Sequence, residues 1–324
     1  MKIDVHCHAW PQEYLQAFKE CYSDAIEFRE DPQGKLPFGF PGARLFLPVW
    51  DHDQRLLEMD KARVDVGVLS APTAYDRVDE HSPRLCRILN DALAESCKRN
   101  PDRFKAYAHI PFSSMEVALG ELSRAIAEPG FVGVVIGSNI GGRYPHTPDF
   151  LPFWEEVNRR RIPVFMHPND PPNYQDDEMP QLLAYPFETT LSATKLLYSG
   201  LYERFPDIIL ILSHLGGALP YLARRIDMGF ELPSSSPKYK QLPRPPSDYL
   251  NKLYLDTAIA RHRPAFECAK ELVGIDHIVY GTDQFFPGTR FMDLTNEFLE
   301  GLGVSPVDRE KIYSKNAERI LNLS

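Results

Sequence analysis

The feature of this sequence that most constrains its fold is a repeated pair of segments. A short run of apolar and β-branched residues is followed each time by a turn signal and an amphipathic stretch. Eight such runs occur, at residues 2–5, 64–69, 104–110, 131–136, 162–166, 208–212, 252–255 and 277–280. Strands that alternate with helices predict a parallel sheet. At 324 residues, the repeat predicts an α/β fold of the (β/α)8 TIM barrel type.

Three segments are longer than the minimal strand and helix unit requires, at residues 12–50, 168–184 and 232–248. The first two are insertions after strands 1 and 5. In a barrel they would overhang the C-terminal face, where active sites are built. No stretch of linker composition divides the chain. We therefore expect one domain over residues 1–324.

Composition narrows the class of partner. The formal net charge is −9 and no run of Lys and Arg stands out, which argues against nucleic acid or an anionic membrane as a partner. No apolar run reaches the ~20 residues needed to span a bilayer. The five cysteines form no CxxC pair, and the first residues read as a strand, not as a signal peptide. We expect a cytoplasmic protein with a small-molecule substrate.

The candidate site consists of polar residues at strand ends. In KIDVHCHAW, His6 and His8 are two residues apart, so strand alternation turns both imidazoles to one side and Cys7 to the other. His167 ends the fifth predicted strand, His214 the sixth and Asp283 the eighth. In a parallel barrel these ends meet at one face.

Each of these residues has a structural alternative, such as a hydrogen-bonded histidine pair or a carboxylate that caps a helix. The conjunction at the ends of different strands favours a metal site. Three imidazoles and one carboxylate suit Zn²⁺, our preferred ion, and also Mn²⁺ or Fe²⁺. Cys7 is interpreted as a packing residue. His109 could line the pocket or pack in the wall, and Asp256 could orient a ligand or cap a helix.

The chain resembles the amidohydrolase-related decarboxylases, the family that includes α-amino-β-carboxymuconate-ε-semialdehyde decarboxylase and γ-resorcylate decarboxylase. The similarity covers nearly the whole chain, and its most specific part runs from Phe187 to Arg225. It rests on DVHCH, FMHPND, the YPFETTLSATKLLYSGLYERFPDIILILSHLGGALPYLARRID stretch, LYLDTA and YGTDQFFP.

The resemblance implies a role for each site residue. His6, His8, His167 and Asp283 would bind the ion, and His214 would be the nearby acid or base.

It also implies that Arg225 anchors a substrate carboxylate, reaching into the site of a neighbouring subunit in a homodimer. Arg44 is the candidate for a second such arginine. For both arginines, a surface or interface ion pair is the alternative. Asn169 stands where the semialdehyde decarboxylase has an aromatic residue, which makes it a candidate substrate contact.

The fourth strand, FVGVVIGSN, contains no lysine that could be carbamylated to bridge two ions. We therefore expect one divalent ion and no organic cofactor.

The predicted reaction is metal-dependent, non-oxidative decarboxylation of an aromatic or unsaturated acid that carries a hydroxyl or carbonyl group. The ion would polarise the substrate, and His214 or Asp283 would handle the proton. The same ligands would also serve a lactonase or a hydratase, in which the ion activates water. A non-catalytic metal-bound scaffold is the alternative from outside the enzymes.

Overall fold

A computed structural model describes residues 1–24, 27–28, 38–39, 49–72, 78–170, 180–232, 236–258 and 261–323. Eight strands form one sheet in sequence order, each parallel to the next. They are β1 (Ile3–His8), β2 (Val66–Ser70), β3 (Phe104–His109), β4 (Phe131–Gly137), β5 (Val164–His167), β6 (Leu210–Leu212), β7 (Leu253–Asp256) and β8 (Ile278–Val279). The predicted eight-stranded parallel sheet is therefore confirmed.

The sheet closes on itself between its first and last strands. The amide of Val5 donates to the Tyr280 carbonyl at 2.9 Å, and the amide of Asp283 donates to the His6 carbonyl at 2.9 Å. A further bridge joins Cys7 to Gln284. The closed ring of parallel strands is the predicted (β/α)8 TIM barrel.

Alternation along the strands gives the barrel two apolar layers. One cluster, which includes Val68, Tyr107, Val135 and Phe165, is separate from the larger cluster formed by strand residues and the surrounding helices. The pairing of β1 with β2 shifts register between Asp4 and Cys7. Such a bulge redirects the side chains that follow it.

Helices cover the outside of the barrel. They are α1 (Gln12–Cys21), α2 (His52–Ala62), α3 (Ser82–Arg99), α4 (Met115–Ile126), α5 (Leu151–Arg160), α6 (Tyr185–Tyr198), α7 (Leu201–Arg204), α8 (Leu219–Glu231), α9 (Arg263–Val273), α10 (Arg290–Gly301), α11 (Pro306–Glu310) and α12 (Asn316–Leu321). The amphipathic pattern at residues 185–203 predicts one helix, but the structure has two, because Gly200 adopts a left-handed conformation with φ 75° between them.

In the sequence, Ser82 before Pro83 and Ser305 before Pro306 are predicted capping residues, each followed by a proline suited to the first helical turn. Ser305 accepts a hydrogen bond from the amide of Asp308 at 3.1 Å, as a capping hydroxyl should. The prediction for Ser82 was wrong. Ser82 Oγ donates to the Asp79 carbonyl at 2.8 Å and accepts no backbone amide of the described residues, while the amides of His81 and Ser82 donate to the Asp79 carboxylate.

The insertion after β1 contains α1 and a short antiparallel pair, Glu27–Phe28 with Phe38–Gly39. In the insertion after β5, a π-helical turn at Pro180–Ala184 leads into α6. Within the described ranges, no helix combines the length and the apolar character needed to cross a membrane.

Candidate metal centre

Four of the predicted site residues meet at the C-terminal end of the barrel. His6 and His8 belong to β1, His167 is the last residue of β5, and Asp283 follows β8. One ligand atom from each lies within 4.8 Å of the others, and all four residues are buried. Three imidazoles and one carboxylate that converge in this way form a donor set that fits a single divalent ion.

Asp283 lies against both imidazoles of β1. Its Oδ1 is 2.8 Å from His8 Nε2 and 3.2 Å from His6 Nε2, and the two Nε2 atoms are 3.2 Å apart. Despite the register shift in β1, the imidazoles of His6 and His8 therefore face the same oxygen of Asp283.

The far nitrogen of each ring has its own partner. His6 Nδ1 lies 2.7 Å from Asp256 Oδ2, and His167 Nδ1 lies 2.9 Å from the Pro168 carbonyl oxygen. Both partners only accept, so each Nδ1 carries a hydrogen. A neutral imidazole carries only this one hydrogen, so the lone pair of its Nε2 can bind a metal ion.

The third ring is held by a residue that the sequence reasoning missed. Ser70, the last residue of β2, places its Oγ 3.3 Å from His8 Nδ1. A serine at a strand end beside the paired histidines was the only signal for it in the sequence.

Burial and the charges of neighbouring groups shift the pKa values of the cluster in opposite directions. Burial lowers the pKa of His8 to about 4 and that of His167 well below its usual range. Burial also opposes the charged form of His6, but Asp283 and Asp256 outweigh it and raise the His6 pKa to about 10. The charge of His6 and hydrogen bonds from His214 and His6 keep the pKa of Asp283 well below its usual range, despite burial. Asp283 and His6 therefore favour each other's charged form, while burial favours the neutral form of the other two imidazoles.

His214 lies beside the cluster, in a turn of unusual backbone conformation. His214, Leu215, Gly216 and Gly217 all have positive φ, between 54° and 72°. His214 Nε2 lies 3.5 Å from Asp283 Oδ2. Asp283 therefore faces the β1 imidazoles with one oxygen and His214 with the other.

Asp256 contacts a ligand ring and does not cap α9, the helix that follows β7, since α9 begins at Arg263 without a side-chain cap. While Oδ2 faces His6, Oδ1 accepts the amides of His214 at 2.8 Å and Ala258 at 3.0 Å. One fully buried carboxylate at the end of β7 thus contacts a candidate ligand and the backbone of the candidate acid or base.

The predicted substrate contacts are not members of this cluster. Asn169 is buried, and its amide group donates to the Asn139 carbonyl and accepts from the Asp170 amide. Arg225 is exposed on α8. Arg44 lies outside the described residues.

Two other predicted alternatives are resolved. Cys7 is turned away from the cluster, with its Sγ 2.8 Å from Arg55 Nη1, as the packing interpretation requires. His109 is fully buried in β3, where its Nε2 accepts from the amide of Ala71 at 3.0 Å, so it belongs to the barrel wall.

Known proteins resemble the chain over nearly its full length. γ-Resorcylate decarboxylase from Rhizobium sp. (strain MTP-10005) is 32% identical over 288 residues, which are 84% of this chain and 87% of that protein. The 2-amino-3-carboxymuconate-6-semialdehyde decarboxylase of Dictyostelium discoideum is 28% identical over 339 residues, which cover 100% of this chain and 92% of that protein.

A solved structure extends this likeness to the fold. Dihydroxybenzoic acid decarboxylase from Polaromonas sp. JS666, with bound manganese and the inhibitor 2-nitroresorcinol, superposes with a TM-score of 0.81 at 27% identity. The match covers 99% of this chain and 97% of the other. The model of the amidohydrolase family matches residues 3–323. The sequence, the closed barrel and the buried cluster agree, and the chain belongs to the amidohydrolase family.

Proposed function

We propose that this protein is a metal-dependent carboxy-lyase, which removes CO₂ without oxidation from an aromatic or unsaturated acid that carries a hydroxyl or carbonyl group. The observation that carries the proposal is the convergence of His6, His8, His167 and Asp283 within 4.8 Å. The related proteins from Dictyostelium discoideum and Rhizobium sp. are both named as decarboxylases. Their names favour CO₂ loss over lactone hydrolysis or hydration at the same ligands.

The four clustered residues would hold one divalent ion. When bound, such an ion supplies Lewis acidity that polarises the oxygen atoms of the substrate and draws electron density from the reacting carbon. Asp256, Ser70 and the Pro168 carbonyl fix the imidazole rings in the orientation this requires.

His214 is proposed as the acid or base. Decarboxylation breaks the bond to the carboxyl carbon, leaves its electron pair on the remaining carbon and requires one proton there. An imidazole nitrogen can donate a hydrogen, so Nε2 of His214 is suited to deliver that proton. Asp283 Oδ2, 3.5 Å away, would orient the ring.

The ion is proposed to be Zn²⁺ or Mn²⁺, because the donor set suits both. Manganese is bound in the Polaromonas structure, which makes Mn²⁺ the first ion to test.

The five cysteines are all free thiols, which supports the proposal of a reducing compartment such as the cytoplasm.

A homodimer is proposed from the exposed surface around α6 and α8. Several large apolar side chains lie open to solvent there, and α6 packs against α8. They are Leu182, Leu183, Phe187, Leu191 and Tyr221. Exposed apolar patches of this kind mark protein interaction sites.

Arg225, which is exposed on α8, is proposed to anchor the substrate carboxylate of the neighbouring subunit, since its guanidinium matches a carboxylate in a bidentate manner.

The experiment is CO₂ release and loss of ultraviolet absorption from a panel of hydroxybenzoates, methylsalicylates and carboxymuconate-type acids. Protein loaded with Mn²⁺ or Zn²⁺ is compared with chelator-treated protein. We expect CO₂ from at least one acid, and only with the loaded protein. Bound metal without CO₂ from any acid would contradict the proposal, and a parallel lactone panel then tests hydrolysis.

A further inference from the structure

The cluster is divided by the seam at which the barrel closes. His6 and His8 lie on β1, whereas Asp283 lies beyond the end of β8, a strand of only two residues. Past that strand, the amide of Asp283 donates to the His6 carbonyl at 2.9 Å and the amide of His8 donates to the Gln284 carbonyl at 3.0 Å. A bridge between Cys7 and Gln284 lies beside these bonds. The distance from Asp283 to the two imidazoles therefore depends on how this short seam is held.

A buried ion pair on α2 lies directly behind the seam. Arg55 and Glu58 are only 5% and 2% exposed, and Arg55 Nε donates to Glu58 Oε2 at 3.2 Å. Arg55 Nη1 reaches both sides of the seam, Cys7 Sγ at 2.8 Å on β1 and the Gln284 carbonyl oxygen at 3.4 Å beyond β8.

Glu58 extends the same contact to the loop after Asp283. Its Oε1 accepts the amide of Gly288 at 2.6 Å. The side chain of Gln284 donates within this loop as well, to the Gly288 carbonyl at 3.0 Å. The pair on α2 thus contacts the strand that carries two ligands and the loop that carries a third.

Stability alone is a weak reason for this pair. Removing two charges from water costs about as much as their attraction returns, and apolar side chains of similar volume would often stabilise the fold as well. Directional bonds from a planar guanidinium fix geometry in a way that apolar contacts do not.

We infer that Arg55 and Glu58 are positioning residues, which clamp the β1 to β8 seam and so set the spacing between Asp283 and the imidazoles of His6 and His8. This inference rests on the proposed metal centre. It means that Arg55 and Glu58, on a helix outside the barrel, affect metal affinity although neither is a metal ligand.

The test is metal binding by the full-length R55K variant. Lysine keeps the charge beside Glu58 but lacks the fork that reaches Cys7 and Gln284 together. We expect Mn²⁺ affinity, measured by competition with a chelator, to fall by about 10- to 100-fold, the range typical of groups that orient ligands. The visible absorption bands of the Co²⁺-loaded protein should shift, because they report the arrangement of ligands around the ion.

R124K is the matched control. Arg124 and Glu121 form another i,i+3 pair, on α4, away from the seam. This variant should lose stability while its Mn²⁺ affinity and Co²⁺ spectrum stay those of the unsubstituted protein. E58Q, which keeps an oxygen for the Gly288 amide and removes the charge, should weaken Mn²⁺ binding in the same direction as R55K, and it decides the question if R55K does not fold.

The clamp is overturned if R55K and E58Q bind Mn²⁺ as tightly as the unsubstituted protein and give its Co²⁺ spectrum. That result would leave the proposed function in place. Failure of the unsubstituted protein to bind a divalent ion would instead overturn the metal centre, and the clamp with it.

Discussion

Asp256 Oδ2 lies 2.7 Å from His6 Nδ1, while the other oxygen of the same carboxylate accepts the backbone amide of His214 at 2.8 Å. A candidate metal ligand and the candidate acid or base are therefore held by one side chain. Because Asp256 is fully buried, water does not compete for either contact. The geometry of the two groups should change together when this carboxylate is altered.

Replacing Asp256 by asparagine tests that coupling. The variant keeps the size of the side chain but removes the charge that orients His6. We expect Mn²⁺ affinity to fall by about 10- to 100-fold, as chelator competition can measure. The control is D227N. Asp227 lies on α8 and is equally buried, but its carboxylate contacts Ser247 and Arg224 and not a candidate metal ligand. Equal Mn²⁺ affinity in both variants would argue against an orienting role.

The left-handed turn at His214 should depend on Gly217. Gly217 has φ 63°, and a Cβ atom there would overlap the Pro186 carbonyl oxygen. Gly217→Ala is expected to reduce the free energy of unfolding by at least about 2 kcal/mol in urea denaturation. In G301A, the added methyl meets open space at the end of α10, and the free energy should rise by up to about 1 kcal/mol. Equal stability of G217A and the unsubstituted protein would show that the turn tolerates the added methyl group.

The barrel was predictable because the alternation of apolar runs and amphipathic stretches continues along the whole sequence. His167 could be placed because it ends a strand, and a strand end has a defined position in a parallel barrel. Asp283 was placed at the end of the eighth strand, but β8 ends at Val279, and the carboxylate is carried by the following loop. Its φ of 56° is a conformation that sequence pattern does not reveal in an aspartate.

Contacts between elements distant in sequence were the part that the sequence did not reveal. Arg55 lies on an amphipathic helix, where an arginine is usually exposed, and only the packing of α2 against the seam shows that it is buried. The position of Asp256 left two functions open, and the structure shows the contact with His6 and no cap on α9. Gly200 interrupts the helical pattern after Tyr198 because of its backbone conformation, although the apolar spacing continues past it.

His109 should make the stability of the protein depend on pH. Burial lowers its pKa to about 3, below the value of 6.5 for a free histidine. The unfolded chain therefore binds this proton more tightly than the folded protein does. The stabilising contribution is complete above pH 6.5 and is lost as the pH falls toward 3, at about 1.4 kcal/mol per pH unit.

Urea denaturation of metal-free protein between pH 4 and pH 7 measures this slope. H109Q, whose amide oxygen can still accept the Ala71 amide, should have a slope that is smaller by about one proton. H262Q makes the same substitution at an exposed histidine and is the matched control. Parallel curves for H109Q and the unsubstituted protein would show that His109 does not titrate as its burial implies.

The proposed dimer depends on the apolar surface of α6. Phe187 is 51% exposed in the single chain, and a glutamate there would place a charge within the interface. We expect F187E to elute as a monomer, with a halved mass in light scattering after gel filtration. V307E introduces the same charge at another exposed apolar position, on α11, and should remain a dimer. A dimer that persists in F187E would place the interface elsewhere.

Metal content and CO₂ release measured together on H214A test the central claim most directly. The ion ligands are untouched in this variant, so it should bind one equivalent of Mn²⁺ as the unsubstituted protein does. Its rate of CO₂ release should fall by about 10²- to 10⁴-fold, the contribution typical of a positioned acid or base. H262A, at an exposed histidine, should keep both properties. A variant that binds Mn²⁺ and releases CO₂ at the original rate would contradict this account of the site.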